Sequence, residues 1–398
     1  MGMVKLPSLR MYWTRDPLFA QTFPRKVTSR DRFEMLMKVL HFANNREVDA
    51  RDCLSKIKFI IDELKKNFQT YYDPPEVVYI DESLIPFGGR IVFRQYLKQK
   101  KDRYGIKIFK LCCGRGYTYS FQVYAGKTLD KENTTPSNII MSLFDPLFHK
   151  GHTLCTDNWY TSADLGKKLI NQNTHLIGTL TANRKGNPND VLTAKLKRGE
   201  MIAKENNNGI TVLKWKDKRD VLVLSTKYSN KTVYVKTKRG YCLKPRIIIE
   251  YNKAKTAIDL SDQMSAYSSP LRRTIKWYKK LAFELLLSTS IINALFMFEE
   301  ATGKKISVTS FRKKLVNALV QQSDEEIPVH IAKKSVHKLQ KKEGDVHKIR
   351  KYCSSCYEKN SRLLGRKTAR NLTKKVVTFC NACKDQPYLC LQCFNKLH

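Results

Sequence analysis

Apolar and polar residues in the first part of this chain recur with the period of a helix. After the potential capping residue Ser29, the apolar positions Phe33, Leu36 and Leu40 fall at helical spacing. A second apolar pattern of the same period ends just before Asp73-Pro74-Pro75, which breaks the chain. The predicted helices are Arg30–Phe42 and Leu54–Phe68.

Short apolar runs replace the helical pattern after this break. The run Val77-Val78-Tyr79-Ile80 is typical of a strand buried in a central sheet. Three strands separated by turns come next, and helices then alternate with strands, which favours a mixed α/β layout. The predicted strands are 77–80, 91–98, 105–113, 118–125, 152–156 and 176–180, and the predicted helices are 135–144 and 161–171.

Helical periodicity disappears from Lys185 to Pro245, where β-like runs alternate with Asn, Gly and Lys turns. We predict an all-β insertion here, and we expect long helices after it. Its predicted strands are 211–215, 221–225 and 232–235; a strand at 246–251 and helices at 257–268, 276–300 and 307–321 are predicted to follow.

Positive charge narrows the choice of partner. Lys and Arg total 74 against 36 Asp and Glu, so the net charge is +38, which favours a polyanion such as DNA over a neutral partner. We expect no membrane span, because the most apolar stretch, Leu281–Phe298, contains polar residues and is predicted to be a buried helix. The first residues lack an apolar signal segment, so a reducing compartment is expected, where the 11 cysteines would not form disulfides.

Four aspartates fall where carboxylates can converge. Asp81 and Asp157 each follow a predicted buried strand, and Asp262 lies three residues after Asp259 on one helix face. Converging carboxylates repel one another unless a cation joins them, and Mg²⁺ or Mn²⁺ suits hard oxygen ligands. Two such ions could support phosphodiester cleavage. On spacing alone, the same aspartates could equally be capping residues.

The residues around these acids resemble the transposases of the piggyBac family. The family has a strand–Asp–Glu block, a DN-aromatic block and a DQM block in the order found here. The matching segments are VVYIDESLIPFGGR, FRQYLKQKKDRYGIKIFKLC, TDNWYTS, YNKAKTAIDLSDQM and YSSPLRRTIKWYKK, and the cysteine-rich end also matches.

The resemblance implies an α/β fold class in which a β-rich insertion interrupts an RNase H-like catalytic core. A helical domain for dimerisation and DNA binding would flank the core, and a cysteine-rich zinc domain would end the chain. The expected parts are the helical domain (1–72 and 264–322), the core (73–184 and 246–263), the insertion (185–245), a basic linker (323–345) and the zinc domain (346–398).

The resemblance also implies residue roles. Asp81, Asp157 and Asp259 match the catalytic acids, and Asp262 matches a fourth acid that supports the metal site. Trp277 matches an aromatic that contacts DNA. The cations around it, Arg272, Arg273 and Lys276, suit phosphate binding. The alternative for Trp277 is a core position at the start of a helix.

The cysteine-rich tail predicts zinc independently of the family. Six cysteines occur as three C-x2-C pairs, and such pairs are ready-made for tetrahedral Zn²⁺. Two zinc sites are expected: one would join the first and third pairs, and the other would join the middle pair to His398 and an upstream histidine, His337 or His347. Residues 331–376 carry 15 Lys/Arg against 3 Asp/Glu, which suits DNA. The zinc ligands expected are Cys353, Cys356, Cys380, Cys383, Cys390, Cys393, His398 and His337.

The function implied is cut-and-paste transposition: cleavage of transposon ends and joining into target DNA, with TTAA as the expected target. We expect a homodimer that acts on double-stranded DNA in the nucleus and uses no small-molecule cofactor. The alternatives are a nuclease with the same core and a domesticated protein that only binds DNA. The chain begins within what corresponds to the helical domain, so we expect the opening of that domain to be missing.

Overall fold

The computed structural model describes residues 1–47, 49, 51–98, 100, 102–126, 135–237, 240–321, 337–383 and 385–397. Two compact units divide the chain, 1–321 and 322–398. The first unit holds the sheet and the predicted acids, and the second holds the cysteine pairs.

Helices from both ends of the first unit share one core. Ile57, Ile61 and Phe68 of the early segment lie in the same buried cluster as Leu281 and Leu285 of the late segment. The helices are α1 (Thr22–Val27), α2 (Arg30–Val39), α3 (Lys58–Thr70), α4 (Pro136–Phe144), α5 (Ala163–Ile170), α6 (Asn189–Thr193), α7 (Arg246–Ala254), α8 (Thr256–Ala266), α9 (Trp277–Glu284), α10 (Ser290–Thr302) and α11 (Val308–Gln321). Short 3₁₀ turns cover Leu9–Trp13, Ser55–Ile57 and Asp145–Leu147.

A mixed sheet forms the centre of this unit. Its strands are β1 (Val77–Pro86), β2 (Gln95–Tyr96), β3 (Tyr104–Cys113), β4 (Tyr117–Val123), β5 (Thr153–Thr156), β6 (His175–Thr179), β7 (Met201–Glu205), β8 (Thr211–Lys216) and β9 (Asp220–Ser225). β3 pairs antiparallel with β1, β4 and β2, whereas β5 is parallel to both β1 and β6. The predicted strands 105–113 and 118–125 and the following order α4, β5, α5 and β6 are confirmed, whereas the predicted strand 91–98 is reduced to the two residues of β2, and β1 takes its place in the meander β1–β3–β4.

The alternation of side chains along β1 divides the core into two layers. Val78 and Ile80 lie in the cluster formed with α4 and α5. Tyr79 lies in the cluster on the opposite face, with residues of α7 and α8. Because successive strand residues point to opposite faces, Asp81 belongs to the face covered by α7 and α8.

The predicted insertion does not form a separate all-β body. β9 pairs antiparallel with β6, and β8 and β7 continue the same sheet outward. The short helix α6 also lies within this range. Only the hairpin of β10 (Thr232–Thr237) and β11 (Gly240–Pro245) forms a sheet of its own. The β prediction is confirmed for 211–215, 221–225 and 232–235, but their partners could not be read from local pattern.

The predicted strand at 246–251 is wrong, because this segment begins helix α7. Pro245 occupies the position before the first helical turn, and Ile247, Ile248 and Tyr251 bury one helical face. The run of three isoleucines suggested a strand because β-branched residues favour that state. Tertiary burial of one helix face outweighed that weak local preference.

The long apolar helix near the end of the first unit is a core element. α9 and α10 are joined by a π-helical turn at Leu285–Thr289, so the helical run extends from Trp277 to Thr302. By length and hydropathy this run could cross a membrane, but half of its apolar window is buried within the protein. Asn293 donates to the Thr118 carbonyl and accepts from the Thr118 amide, both at 2.8 Å. The predicted buried helix is confirmed.

The second unit is small and rich in short elements. They are β12 (Leu339–Lys341), α12 (Val346–Ile349), β13 (Lys351–Tyr352), α13 (Ser354–Leu372), β14 (Lys375–Val376), β15 (Thr378–Cys380) and α14 (Leu391–Leu397). β12 pairs with β15 and lies inside the range 323–345 that we predicted to be a linker, so this part of the range is a strand of the second unit. The remainder of that range, 323–336, lies outside the described residues.

Candidate active site

Asp81 and Asp157 lie side by side on neighbouring parallel strands. Ile80 of β1 is in register with Thr156 of β5, so the next residues, Asp81 and Asp157, are also neighbours across the two strands. We predicted that β1 ends at Ile80, but the strand continues to Pro86 as the partner of β3. Asp81 is therefore held within a strand, and Asp157 lies just after one.

The negative charges of Asp81 and Asp157 repel each other. Burial, the neighbouring Glu82 carboxylate and the Asp157 carboxylate raise the pKa of Asp81 from its ordinary value of 3.8 to about 8. Burial and Glu82 also raise the pKa of Asp157. Carboxylates that lose solvation beside like charges favour either a proton or a bound cation. The donor set of hard oxygens fits a divalent ion such as Mg²⁺ or Mn²⁺.

The loop after β5 fixes the position of Asp157. The Trp159 amide donates to Asp157 Oδ1 at 3.0 Å, and the Thr161 hydroxyl donates to the Asp157 carbonyl at 2.7 Å. Thr161 is fully buried against Gly178 of β6: a Cβ at residue 178 would lie 2.1 Å from Thr161 Oγ1. Glycine is required at this position so that the loop can pack closely on the neighbouring strand.

Helix α8 carries the other two acids, Asp259 and Asp262, and lies over β1. Ile258 shares a buried cluster with Tyr79, and the Ser83 hydroxyl donates to Asp262 Oδ1 at 2.7 Å, so α8 runs alongside β1 in the same direction. Asp259 lies between these two contacts, in the first turn of α8, and is exposed. The turn of α8 that carries Asp259 therefore lies over the part of β1 that carries Asp81.

Asp262 is already paired within the protein. Its Oδ1 accepts from Lys110 Nζ at 2.8 Å as well as from Ser83, and the Lys110 side chain is only 4% exposed. Burial alone would lower the pKa of Lys110, but the charge and hydrogen bond of Asp262, together with Cys112 and Glu284, raise it above its ordinary value. Lys110, Asp262 and Glu284 line one cleft of about 420 Å³. Burial raises the pKa of Glu284. The geometry shows Asp262 as an anchor between α8 and the sheet.

Lys107 is a residue near the acids that the sequence did not single out. Burial lowers its pKa, although the charges of Glu82, Asp81 and Asp157 act in the opposite direction. Its Nζ lies 4.7 Å from the ring centroids of both Phe109 and Trp159. The apolar run around Lys107 in β3, which is buried along almost its whole length, could have indicated a lysine inside the protein, but not which carboxylates it meets.

Two groups of metal-ligating side chains occur in the second unit. Cys353, Cys356, Cys390 and Cys393 present sulfur atoms that all lie within 4.8 Å of one another. This is the pairing of the first and third C-x2-C motifs that we predicted. Four thiolates at this spacing fit tetrahedral Zn²⁺.

The second group contains the middle cysteine pair. His337 Nδ1 lies 3.3 Å from the sulfur of Cys380 and 3.6 Å from that of Cys383, so the upstream histidine in this group is His337. His347, the alternative, is exposed in α12 and is not part of the group. The predicted fourth ligand, His398, lies outside the described residues.

The sequence profile of a family described as Transposase IS4 matches residues 1–295 of this chain. The chain belongs to this transposase family.

Two human proteins and one solved structure resemble this chain. PiggyBac transposable element-derived protein 3 is 27% identical over 342 residues, which cover 79% of this chain and 56% of that protein. PiggyBac transposable element-derived protein 2 is 25% identical over 296 residues, covering 70% of this chain and 50% of that protein. The chain thus spans about half the length of the curated relatives it matches.

The solved structure is a cryo-EM structure of a piggyBac transposase synaptic complex with hairpin DNA. The two folds superpose with a TM-score of 0.67 at 23% identity, covering 95% of this chain and 82% of the other. This match confirms the predicted fold class, an α/β protein with an RNase H-like core, and the resemblance to piggyBac transposases.

The side chains that we predicted to contact DNA divide into two kinds. Arg272 donates to the Leu6 carbonyl at 2.7 Å and to the Tyr12 hydroxyl, so it holds the N-terminal segment. Trp277 is half-buried and meets Phe93 edge-on at 5.1 Å, which is the core position considered as the alternative. The two exposed members of the set are Arg273 and Lys276.

Proposed function

We propose that this chain is a piggyBac-like DNA transposase that cleaves transposon ends and joins them to target DNA, with TTAA as the expected target. The observation that carries the proposal is the meeting of Asp81 and Asp157 on adjacent parallel strands, beneath the helix that bears Asp259. The family match supports the reaction class.

Asp81, Asp157 and Asp259 would hold Mg²⁺ or Mn²⁺, which would activate water and stabilise the leaving oxygen of the phosphodiester. The protein's own part would be to hold Asp81 and Asp157 side by side on neighbouring strands and to bring the helix that carries Asp259 over β1. β1 and β5 fix two of them by register, and the contacts of Asp262 with Lys110 and Ser83 fix the helix that carries the third.

We further propose that the second unit binds two Zn²⁺ ions and contacts DNA, because two ligand groups occur there on a strongly basic segment. Homodimerisation and a nuclear location are also part of the proposal. Size-exclusion chromatography with light scattering would test the first, and the distribution of a fluorescent fusion would test the second.

The test of the proposal compares Asp81→Asn, Asp157→Asn and Asp259→Asn with the unmodified protein. Each change removes one negative ligand but keeps side-chain size, so each variant should lose Mg²⁺-dependent nicking and strand joining together. Duplex binding should remain. Full cleavage by a well-folded Asp157→Asn protein would contradict the assignment. Binding without any cleavage by the unmodified chain would favour a domesticated DNA-binding protein, and cleavage without joining would favour a nuclease.

A further inference from the structure

The hairpin β10–β11 stands apart from the central sheet. Within the described part of the chain, its two strands pair with each other and with no other strand. An isolated two-stranded hairpin is only marginally stable in water. A two-stranded hairpin therefore needs a further element or a partner that packs on it to become stable.

One face of this hairpin is aromatic and open to solvent. Tyr234 is opposite Leu243, and Lys236 is opposite Tyr241, so these four side chains share a face. Tyr234 and Tyr241 are 72% and 74% exposed. Large apolar side chains grouped on an exposed face are typical of a binding surface.

Charge identifies the partner. Residues 226–249 contain seven Lys/Arg and no Asp/Glu. Among the described residues of the hairpin and its approach, Lys231 and Lys236 are exposed and Lys244 is half-buried. A cationic aromatic surface complements a polyanion, whereas the same hairpin of a second copy, which carries the same positive charges, would be repelled from it.

We propose that β10–β11 is a DNA-binding arm, a two-stranded ribbon that lies in a groove of duplex DNA. The major groove of B-DNA admits a two-stranded β-ribbon. Lys231 and Lys236 would contact phosphates, and the tyrosines would pack on the groove wall and donate hydrogen bonds to the backbone. This inference rests on the proposed function insofar as DNA is the partner.

The root of the arm lies away from the acids. Lys227, just before β10, donates to Thr153 Oγ1 at 3.0 Å and pairs with Glu76, at the beginning of β5 and β1. Asp81 and Asp157 lie toward the other end of these paired segments. The arm therefore contributes affinity along the duplex rather than chemistry at the cleaved bond.

The test uses the full chain and a fluorescently labelled duplex of random sequence, measured by anisotropy over a series of salt concentrations. One variant is Lys231→Gln/Lys236→Gln, and a second is Tyr234→Ser/Tyr241→Ser. The matched control is Lys218→Gln/Arg219→Gln, two exposed cations in the turn between β8 and β9. Circular dichroism and light scattering establish that each variant is folded and keeps its oligomeric state.

The lysine variant should reduce the slope of log affinity against log salt by about 1.8, which is about 0.9 for each lost phosphate contact. The tyrosine variant should weaken binding at all salt concentrations with little change in slope, and the control should match the unmodified protein. Unchanged affinity and slope in the folded lysine variant would overturn the proposal. So would a tyrosine variant that changes only the oligomeric state, since that result indicates a protein partner.

Failure of this inference is distinguishable from failure of the proposed function. If the unmodified chain binds and cleaves duplex DNA but the arm variants bind as well as it does, only the arm assignment is wrong. If the unmodified chain binds no duplex at all, both are wrong.

Discussion

The pairing of Asp262 with Lys110 makes a quantitative prediction. Asp262→Asn keeps the shape of the side chain but removes its charge, so the buried Lys110 ammonium loses its ion-pair partner. Removing one member of a buried ion pair costs about 3–5 kcal/mol, because the remaining charge stays desolvated. The Asp262 side chain is 35% exposed, so solvent relieves part of this loss, and we expect about 2–4 kcal/mol.

This loss converts to a melting temperature through the size of the first unit, residues 1–321. With an unfolding entropy of about 2.1 cal/mol/K per residue, the expected decrease in Tm is about 3–6 °C. Asp259→Asn is the matched control, because Asp259 is an exposed acid in the first turn of the same helix. Its loss should lower Tm by only about 1 °C, the effect of a weakened helix-dipole interaction.

Differential scanning calorimetry of a double-mutant cycle would check the reasoning. Lys110→Met removes the buried charge itself, so Lys110→Met/Asp262→Asn should be more stable than Asp262→Asn alone. Additive effects of the two changes would refute the ion-pair explanation. A Tm for Asp262→Asn equal to that of the Asp259→Asn control would do the same.

Four further predictions follow, one on salt, one on zinc and two on pH. DNA affinity should fall steeply as salt rises, since each phosphate contact releases counterions; a flat response in a binding titration would contradict an electrostatic interface. Chelation of zinc should unfold the second unit while the first remains folded, and Cys353→Ser should have the same effect. Circular dichroism and metal analysis would measure both, and a zinc-free protein with a folded second unit would contradict the zinc assignment. The pKa of about 8 at Asp81 means that a proton competes with the metal, so apparent Mg²⁺ affinity should rise with pH up to about 8 and then level off. In the metal-free protein, the free energy of unfolding should fall as pH rises from 3.8 toward 8, because the folded state binds that proton more tightly than the unfolded state does.

Local pattern was sufficient to locate candidate ligands that lie at short spacings. The aspartates at the ends of apolar runs and the C-x2-C pairs could be found because each signal lies within a few residues. The partners of these residues could not, because they are distant in sequence: Lys110 and Asp262 are 152 positions apart. Pairing of β9 with β6 was hidden for the same reason, since an alternating strand does not specify its neighbour.

The prediction that Arg272 contacts DNA shows a second limit of reasoning from sequence alone. A cluster of cations beside a tryptophan is consistent with DNA binding, but an arginine can use the same donors to hold a nearby chain segment. Here Arg272 bonds to Leu6 and Tyr12, which lie at the far end of the sequence. The distribution of the members of this cluster between surface and interior required the tertiary structure.

The contact between Ser83 and Asp262 joins residues that are 179 positions apart, and this separation has a consequence during synthesis. At about 5–20 residues per second, a ribosome needs about 10–40 s to travel from β1 to α8. Throughout that interval the nascent chain carries Asp81 but neither acid of α8. If the chain cuts DNA as we propose, a growing chain should be unable to do so until translation has passed Ala266.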